Sequence, residues 1–295
     1  MPAPRPTLLC FGEILWDFLP AGRFPGGAPF NVAYHLHRHG THARVASAVG
    51  RDALGDELLQ RLTHWGLSPA GIARHGDLPT GRVNATISDH GDATYEIVRE
   101  VAWDRIEATP SILQEARSAD GLIYGSLAQR SAFNQATLDR LLTALPAKAW
   151  RIFDINLRPP HDDAALVQRL ARHATLLKLN AAEAARLVSG APESPGREET
   201  DARAFAATTG CSTVCITSGA RGAGLLRAGK WHWEPGRAVN VVDTVGAGDA
   251  FLAALVSHLL PGSLADAACL ARACRIGEWV ASQRGATPEY TTAPV

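Results

Sequence analysis

Nine residues, Asp243-Thr244-Val245-Gly246-Ala247-Gly248-Asp249-Ala250-Phe251, hold the densest chemistry in this chain. They leave a β-branched pair, Val241-Val242, and enter the strongly apolar helical run AFLAALVSHLL. Gly246 and Gly248 stand where a backbone must turn tightly and approach a ligand closely. The helix that follows exposes its first N–H groups and the positive end of its dipole. That suits an anion, and the natural anion is a phosphate. A carboxylate in such a cradle repels its ligand unless it accepts a proton there. Asp249, beside the amides of Gly246, Ala247 and Gly248, therefore reads as a base next to an anion hole. This pairing suits transfer of a phosphoryl group to a hydroxyl. The plainer alternative is a glycine-rich turn whose aspartate steadies the helix dipole.

A second constellation lies near the N-terminus. FGEILWD spans Phe11 to Asp17, and PGGAPFNVA spans Pro25 to Ala33. Leu8 to Phe11 form a short apolar strand that Gly12 ends. Gly26 and Gly27 permit close backbone approach to a small polar ligand. Asn31 opens a helix running to Gly40, and its amide can both donate and accept. Asp17 and Asn31 are groups of the kind that grip sugar hydroxyls, although a turn residue and an N-cap would look the same.

Three further loops follow strand ends. Asp154-Ile155-Asn156-Leu157-Arg158-Pro159 leaves the strand 151–155. Glu183 stands in the first turn of a helix begun at Asn180, the arrangement of a capping box. Thr217-Ser218-Gly219-Ala220-Arg221-Gly222 follows the strand 213–217, and Arg221 could be solvated or could neutralise a phosphate. Four histidines, 35, 37, 39 and 42, invite a metal reading. Only His35 and His39 share a helical face, and no cysteine or carboxylate joins them, so a solvated face is expected. Gly219 and Gly224 have the spacing of a Walker A loop, but Leu225 replaces its lysine. No G-x-G-x-x-G follows the first strand, which argues against dinucleotide binding.

The elements that must position these groups alternate. Strands are expected at 7–11, 44–49, 121–125, 151–155, 175–179 and 213–217. Helices are expected at 30–39, 53–65, 131–145, 163–173, 181–189, 201–209, 247–260 and 264–283. Such alternation implies an α/β fold, a largely parallel sheet with helices on both faces and ligands at the carboxyl ends of its strands. Residues 13–29 and 81–99 break the pattern. The latter alternates apolar and polar residues around His90-Gly91-Asp92 and reads as a β-hairpin, so the two stretches could build a small sheet covering a cleft. The core is then 1–12, 30–80 and 100–295. Lid strands with free edges could pair two copies into a homodimer.

Lys plus Arg number 29, equal to Asp plus Glu, so no basic excess points to nucleic acid or to a membrane surface. No apolar run approaches the ~20 residues that span a bilayer. Glu13 and Asp17 interrupt the N-terminal stretch, so no signal peptide is expected. Five cysteines without a CxxC pair read as reduced thiols of a cytoplasmic protein.

DTVGAGDAF resembles the C-terminal signature of the ribokinase and fructokinase family of sugar kinases, the phosphofructokinase-B type. The N-terminal strand, Asp17 and the GG-x-x-x-N segment at Gly26, Gly27 and Asn31 resemble its sugar-binding half. The resemblance covers nearly the whole chain and implies a ribokinase-like fold with a small β lid. It implies Asp249 as catalytic base, with the amides of 246–248 on the γ-phosphate of ATP. It further implies that Asn156 and Arg158 (its D-x-N-x-R segment) and Asn180 and Glu183 (its N-x-x-E motif) serve the phosphates and the water shell of Mg²⁺. Thr217, Gly219 and Gly222 would lie along the nucleotide, as would Thr244 and Gly285. A monovalent cation, K⁺, would take Asp243 and the carbonyls of Val245 and Gly285. The lid pattern from Tyr95 to Arg99, with Val101 to Asp104, is similar to bacterial fructokinase-like members, and Arg99 could reach a sugar hydroxyl from above. Fructose is then the expected substrate. The alternatives are ribose, 2-keto-3-deoxygluconate, adenosine, or a sugar-sensing relative without chemistry.

Overall fold

The computed structural model describes residues 5–19, 22–87 and 93–291. Its first part contains β1 (Thr7–Phe11), β2 (Leu15–Leu19), β3 (Gly22–Gly26), α1 (Ala28–Arg38), β4 (His42–Gly50), α2 (Ala53–His64) and β5 (Ile72–His75). There follow β6 (Gly81–Ile87), β7 (Ala93–Ile97), α3 (Pro110–Ser118), β8 (Gly121–Gly125), α4 (Ala132–Ala144) and β9 (Trp150–Asp154). Next come α5 (Ala164–Ala171), β10 (Leu176–Asn180), α6 (Ala181–Ser189), α7 (Glu198–Thr209) and β11 (Thr213–Thr217). The chain finishes with β12 (Gly222–Arg227), β13 (Lys230–Pro235), α8 (Ala247–Leu259) and α9 (Asp266–Ala281).

Nine strands form the main sheet in the order β13-β12-β11-β10-β9-β8-β1-β4-β5. From β11 to β5 the pairings are parallel, and β12 and β13 add an antiparallel edge. The central strands are short and almost wholly apolar, as strands covered on both faces must be. Alternation along β1 sends Leu8 and Cys10 to one core with α1, α2, α8 and α9. Leu9 and Phe11 go to a second core with helices α3 to α7. The order of connection reverses between β1 and β8, because the chain leaves β1 towards β4 and later returns on the other side. The carboxyl ends flanking that reversal are where an open α/β sheet binds its ligand.

The second sheet has the order β3-β2-β6-β7, two antiparallel hairpins joined by a parallel β2–β6 pairing. The expected hairpin at 81–99 is therefore present, while its turn, His90-Gly91-Asp92, lies outside the described residues. Leu15, Asp17 and Leu19 share one face of β2, and the first and last of these join Val83 and Ile97 in an apolar wall above the cleft. Asp17 is the one charged member of that row. On the opposite face Trp16 donates to the Leu54 carbonyl at 3.0 Å. Arg130 anchors the far side: it pairs with Asp104 at 2.7 Å and donates to the Val98 carbonyl at 2.7 Å.

Four expectations change. β5, β12 and β13 and helix α3 were not expected. Gly222, expected in a loop, opens β12. Helix α1 starts at Ala28 with Gly27 as N-cap, so Asn31 lies within its first turn and is not the cap. The histidine face is packed, not solvated. Ala286 O can only accept, so His35 Nε2 donates to it at 2.8 Å and Nδ1 accepts from Tyr290 Oη at 2.7 Å. Burial lowers the His35 pKa to about 3, in keeping with the neutral ring. Among the described residues no group of three or more His, Cys, Asp or Glu is disposed to hold a metal. Nor is any helix among them long and apolar enough to cross a membrane.

Candidate active site

A cleft of about 490 Å³ opens at the carboxyl ends of β1, β8, β9 and β10, beneath the second sheet. Asp249 forms its floor. The turn Gly246-Ala247-Gly248 delivers it: Gly246 caps α8 in the left-handed region at φ 78°, where glycine carries no penalty. A Cβ on Gly246 would also stand 2.5 Å from Ala286, so glycine is needed twice. Asp249 is buried in the first helical turn, and Asn31 Nδ2 donates to its Oδ2 at 2.9 Å. Burial first, and Asp154 second, push the Asp249 carboxyl up to about 6, against the pull of Lys178, Asn31 and Arg158. A carboxylate in the first turn of a helix with a pKa near neutrality can accept a hydroxyl proton.

The residues expected to meet a sugar gather on one wall. Asp17, Gly27 and Asn31 all line the cleft. A Cβ on Gly26 would lie 2.2 Å from Asp17 Oδ2 and push that carboxylate aside, and Gly27 is required because its Cβ would meet the Glu13 carbonyl at 2.3 Å. Burial raises Asp17 to about 6, and the positive Arg158 moderates the shift. Asn156, Arg158, Thr244, Val245 and Gly248 complete the described lining from the predicted set. Asn156 adopts φ 43°, a conformation asparagine tolerates better than most residues.

Other predicted residues stand back from the cleft. Asn180 and Glu183 form the expected capping box, Glu183 N donating to Asn180 Oδ1 and Asn180 N to Glu183 Oε2, both at 2.8 Å. Glu183 Oε1 accepts from Leu157 N at 2.6 Å, which ties α6 to the loop carrying Asn156 and Arg158. Both carboxylate oxygens are thus engaged, so Glu183 fits Mg²⁺ only through water. Asp243 accepts from Val245 N at 3.0 Å and Gly285 N at 3.1 Å, and so brings the three residues of the expected K⁺ site together. Thr217, Gly219 and Gly222 lie at the next strand end, outside the cleft lining. Arg221 does not await a phosphate: it pairs with Glu193, and with Glu198 at 3.1 Å. Arg99 is exposed and does not line the cleft.

Two charged lining residues, Glu13 and Lys178, escaped the sequence reading. Glu13 is buried, its Oε1 accepts from Ala28 N at 3.1 Å, and it thereby caps a helix whose own N-cap is glycine. Its Oε2 has no partner among the described residues, nor has the neighbouring Asn31 Oδ1. Two unpaired buried acceptors on residues that line one cleft suit a ligand rich in hydroxyl donors. Burial raises Glu13 to about 7. Lys178 is buried under the Gly248 turn and donates to Asp154 Oδ1 at 3.0 Å and Oδ2 at 3.2 Å. The signal available was a charged residue in the middle of an apolar strand, LLKLN.

The family described as pfkB family carbohydrate kinase matches residues 21–293. Aminoimidazole riboside kinase of Salmonella typhimurium is 30% identical over 257 residues, 84% of this chain and 78% of that protein. Probable fructokinase-5 of Arabidopsis thaliana is 27% identical over 98% of this chain and 96% of its own length. The crystal structure of fructokinase with bound ATP from Xylella fastidiosa superposes with a TM-score of 0.80, at 21% identity, over 95% of this chain and 94% of that one. The two-sheet architecture is thus the ribokinase-like α/β fold. A family match across nearly the whole chain makes this protein a member of the pfkB family of carbohydrate kinases.

Proposed function

We propose that the protein transfers the γ-phosphoryl group of ATP to a primary hydroxyl of a small sugar, with fructose the first candidate. One observation carries this reading: Asp249, held by Asn31 at 2.9 Å, shares a single cleft with the Gly246–Gly248 cradle and with Asp17. The sugar lies against Asp17, Gly27 and Asn31 under the apolar wall of the second sheet, with its acceptor hydroxyl at Asp249. Its other hydroxyls donate to the unpaired oxygens of Glu13 and Asn31. Asp249 takes the hydroxyl proton as the new P–O bond forms and the bond to the ADP oxygen breaks. The amides of the 246–248 turn meet the charge that develops. Mg²⁺ bound to the phosphates would supply further charge neutralisation, and the loop of Asn156 and Arg158, with Glu183 behind it, would order its waters. A K⁺ ion at Asp243, Val245 and Gly285 would hold the cradle loop in shape. We assign the second sheet, 13–29 with 81–99, as the lid.

Fructose is favoured because relatives across most of the chain are named fructokinases. Aminoimidazole riboside is the second candidate, from the 30% identical riboside kinase. The test is ADP release from Mg-ATP against fructose, ribose, tagatose, 2-keto-3-deoxygluconate, adenosine and aminoimidazole riboside. Turnover greatest on fructose supports the reading, and greatest on a riboside replaces fructose by a nucleoside. No turnover on any of them overturns it.

A further inference from the structure

We propose that Lys178 is a second catalytic residue, its ammonium lying beneath the Gly246–Asp249 turn and donating to the phosphoryl oxygens during transfer. The inference rests on the kinase reading of the same cleft.

Three observations support it. Lys178 lines the cleft together with Gly246, Gly248 and Asp249. A Cβ on Gly248 would stand 3.2 Å from Lys178 Nζ, so the glycine lets the helix turn and the ammonium approach one another. The hydrogen bonds described for this ammonium all go to one carboxylate, that of Asp154, although it carries three N–H donors.

Without a ligand this placement is unfavourable on two counts. A buried ion pair rarely improves on apolar side chains of similar volume. A cation also gains nothing at the N-terminus of a helix, the positive end of its dipole. Leu176, two residues earlier on the same face of β10, illustrates what a purely structural choice looks like. A phosphoryl group entering the cradle reverses both terms, because it draws on the helix end and the ammonium together. Asp154 then fixes Nζ in advance, so that no reorganisation accompanies the reaction.

The groups facing this point are Asp154 and Lys178 from neighbouring strands, Asp249 from α8, Arg158 from the loop after β9 and Glu183 from α6. Glu13, Asp17 and Asn31 face it from the sugar side. Burial pulls the Lys178 pKa down, but Asp154, Glu183 and Asp249 outweigh it and leave the group protonated. Lys178 keeps its proton throughout: the hydroxyl proton goes to Asp249, the hydroxyl oxygen bonds to phosphorus, and ADP departs with the electron pair of the broken P–O bond.

Removing Lys178 alone would strand a buried Asp154, so the primary variant is the double substitution Lys178→Met with Asp154→Asn, compared with Asp154→Asn alone. Steady-state kinetics in both substrates should be paired with calorimetric binding of ADP and of the non-hydrolysable analogue AMP-PNP, and with a thermal melt. The expected result for the folded double variant is a kcat lower by about 10²–10³-fold, as for loss of one transition-state donor. Its sugar KM and ADP affinity should be unchanged, and its preference for AMP-PNP over ADP lost. Asp154→Asn, which keeps the lysine, should lose less. A kcat within about threefold of wild type, with the AMP-PNP preference intact, would overturn the proposal. If the double variant does not fold, Lys178→Gln, which can still donate to Asp154 but carries no charge, should show the same losses, and the same retention would overturn it. A wild-type protein silent towards every sugar would sink the sugar-kinase reading, while the nucleotide affinities would still decide the role of Lys178.

Discussion

As the proposed base, Asp249 must be buried to be screened from water and ionised to accept a proton, and these demands oppose each other. Burial has pushed its carboxyl up to about 6, so the active, deprotonated form is lost as pH falls through that value. Turnover should therefore rise with pH through about 6 and level off above it, a limb shared with Asp17 and Glu13, which titrate in the same range. A pH–rate profile flat from about pH 5 to pH 8 would exclude a carboxylate base of this kind. Asp249→Asn should lower kcat by about 10²–10⁴-fold while sparing sugar binding. The same substitution should stabilise the fold. A folded pKa above the unfolded one contributes stability that is complete below the unfolded pKa and lost as pH rises through about 6. The variant should accordingly melt higher than wild type at about pH 8 and lose that advantage near pH 4, as two thermal melts would reveal. Gly26→Ala tests the sugar wall: its methyl would displace the Asp17 carboxylate, so KM for the sugar should rise with KM for ATP unchanged.

Local stereochemistry dominates among the elements. The Asn180 capping box was legible because its two hydrogen bonds join residues three apart. Asn180→Ala should cost about 1 kcal/mol and lower the melting temperature by a few degrees. It should also loosen the loop at Leu157, which Glu183 holds. The six strands expected from apolar runs are all present, since a buried parallel strand must be apolar throughout. Those missed lack that signal. β12 opens with Gly222-Ala223-Gly224, and Gly224 is glycine because the Trp231 ring occupies its Cβ space. β13 is a half-exposed edge, and β5 has four residues. Asn31 reads as an opening residue because nothing in its neighbourhood reveals that Glu13, fifteen residues before Ala28, caps the helix from outside.

At the scale of the molecule, two cores enclose the sheet, and the C-terminal segment closes over α1. His35 and Tyr34 hold Ala286 and Pro288, and Ala286 in turn abuts Gly246. The helix that presents Asn31 and the turn that presents Asp249 are thus tied to one strap. All five cysteines are buried and unpaired. A thiol reagent should find none of them in the native protein and five after denaturation; labelling of the native state at a rate matching that of exposed thiols would show that the core opens readily.

The nine residues from Asp243 to Phe251 were enough by themselves to indicate phosphoryl chemistry. A left-handed glycine, a helix N-terminus and a carboxylate in its first turn are set by dihedral angles and spacing inside one short segment. The partners of that carboxylate were a matter for the tertiary structure. Asn31 reaches Asp249 across 218 positions of sequence, Lys178 and Asp154 meet through the β9–β10 register, and Arg221 turns to Glu193 and Glu198. Side chains from separate strands converge only where pairing and burial bring them, and in the sequence each of them stands alone.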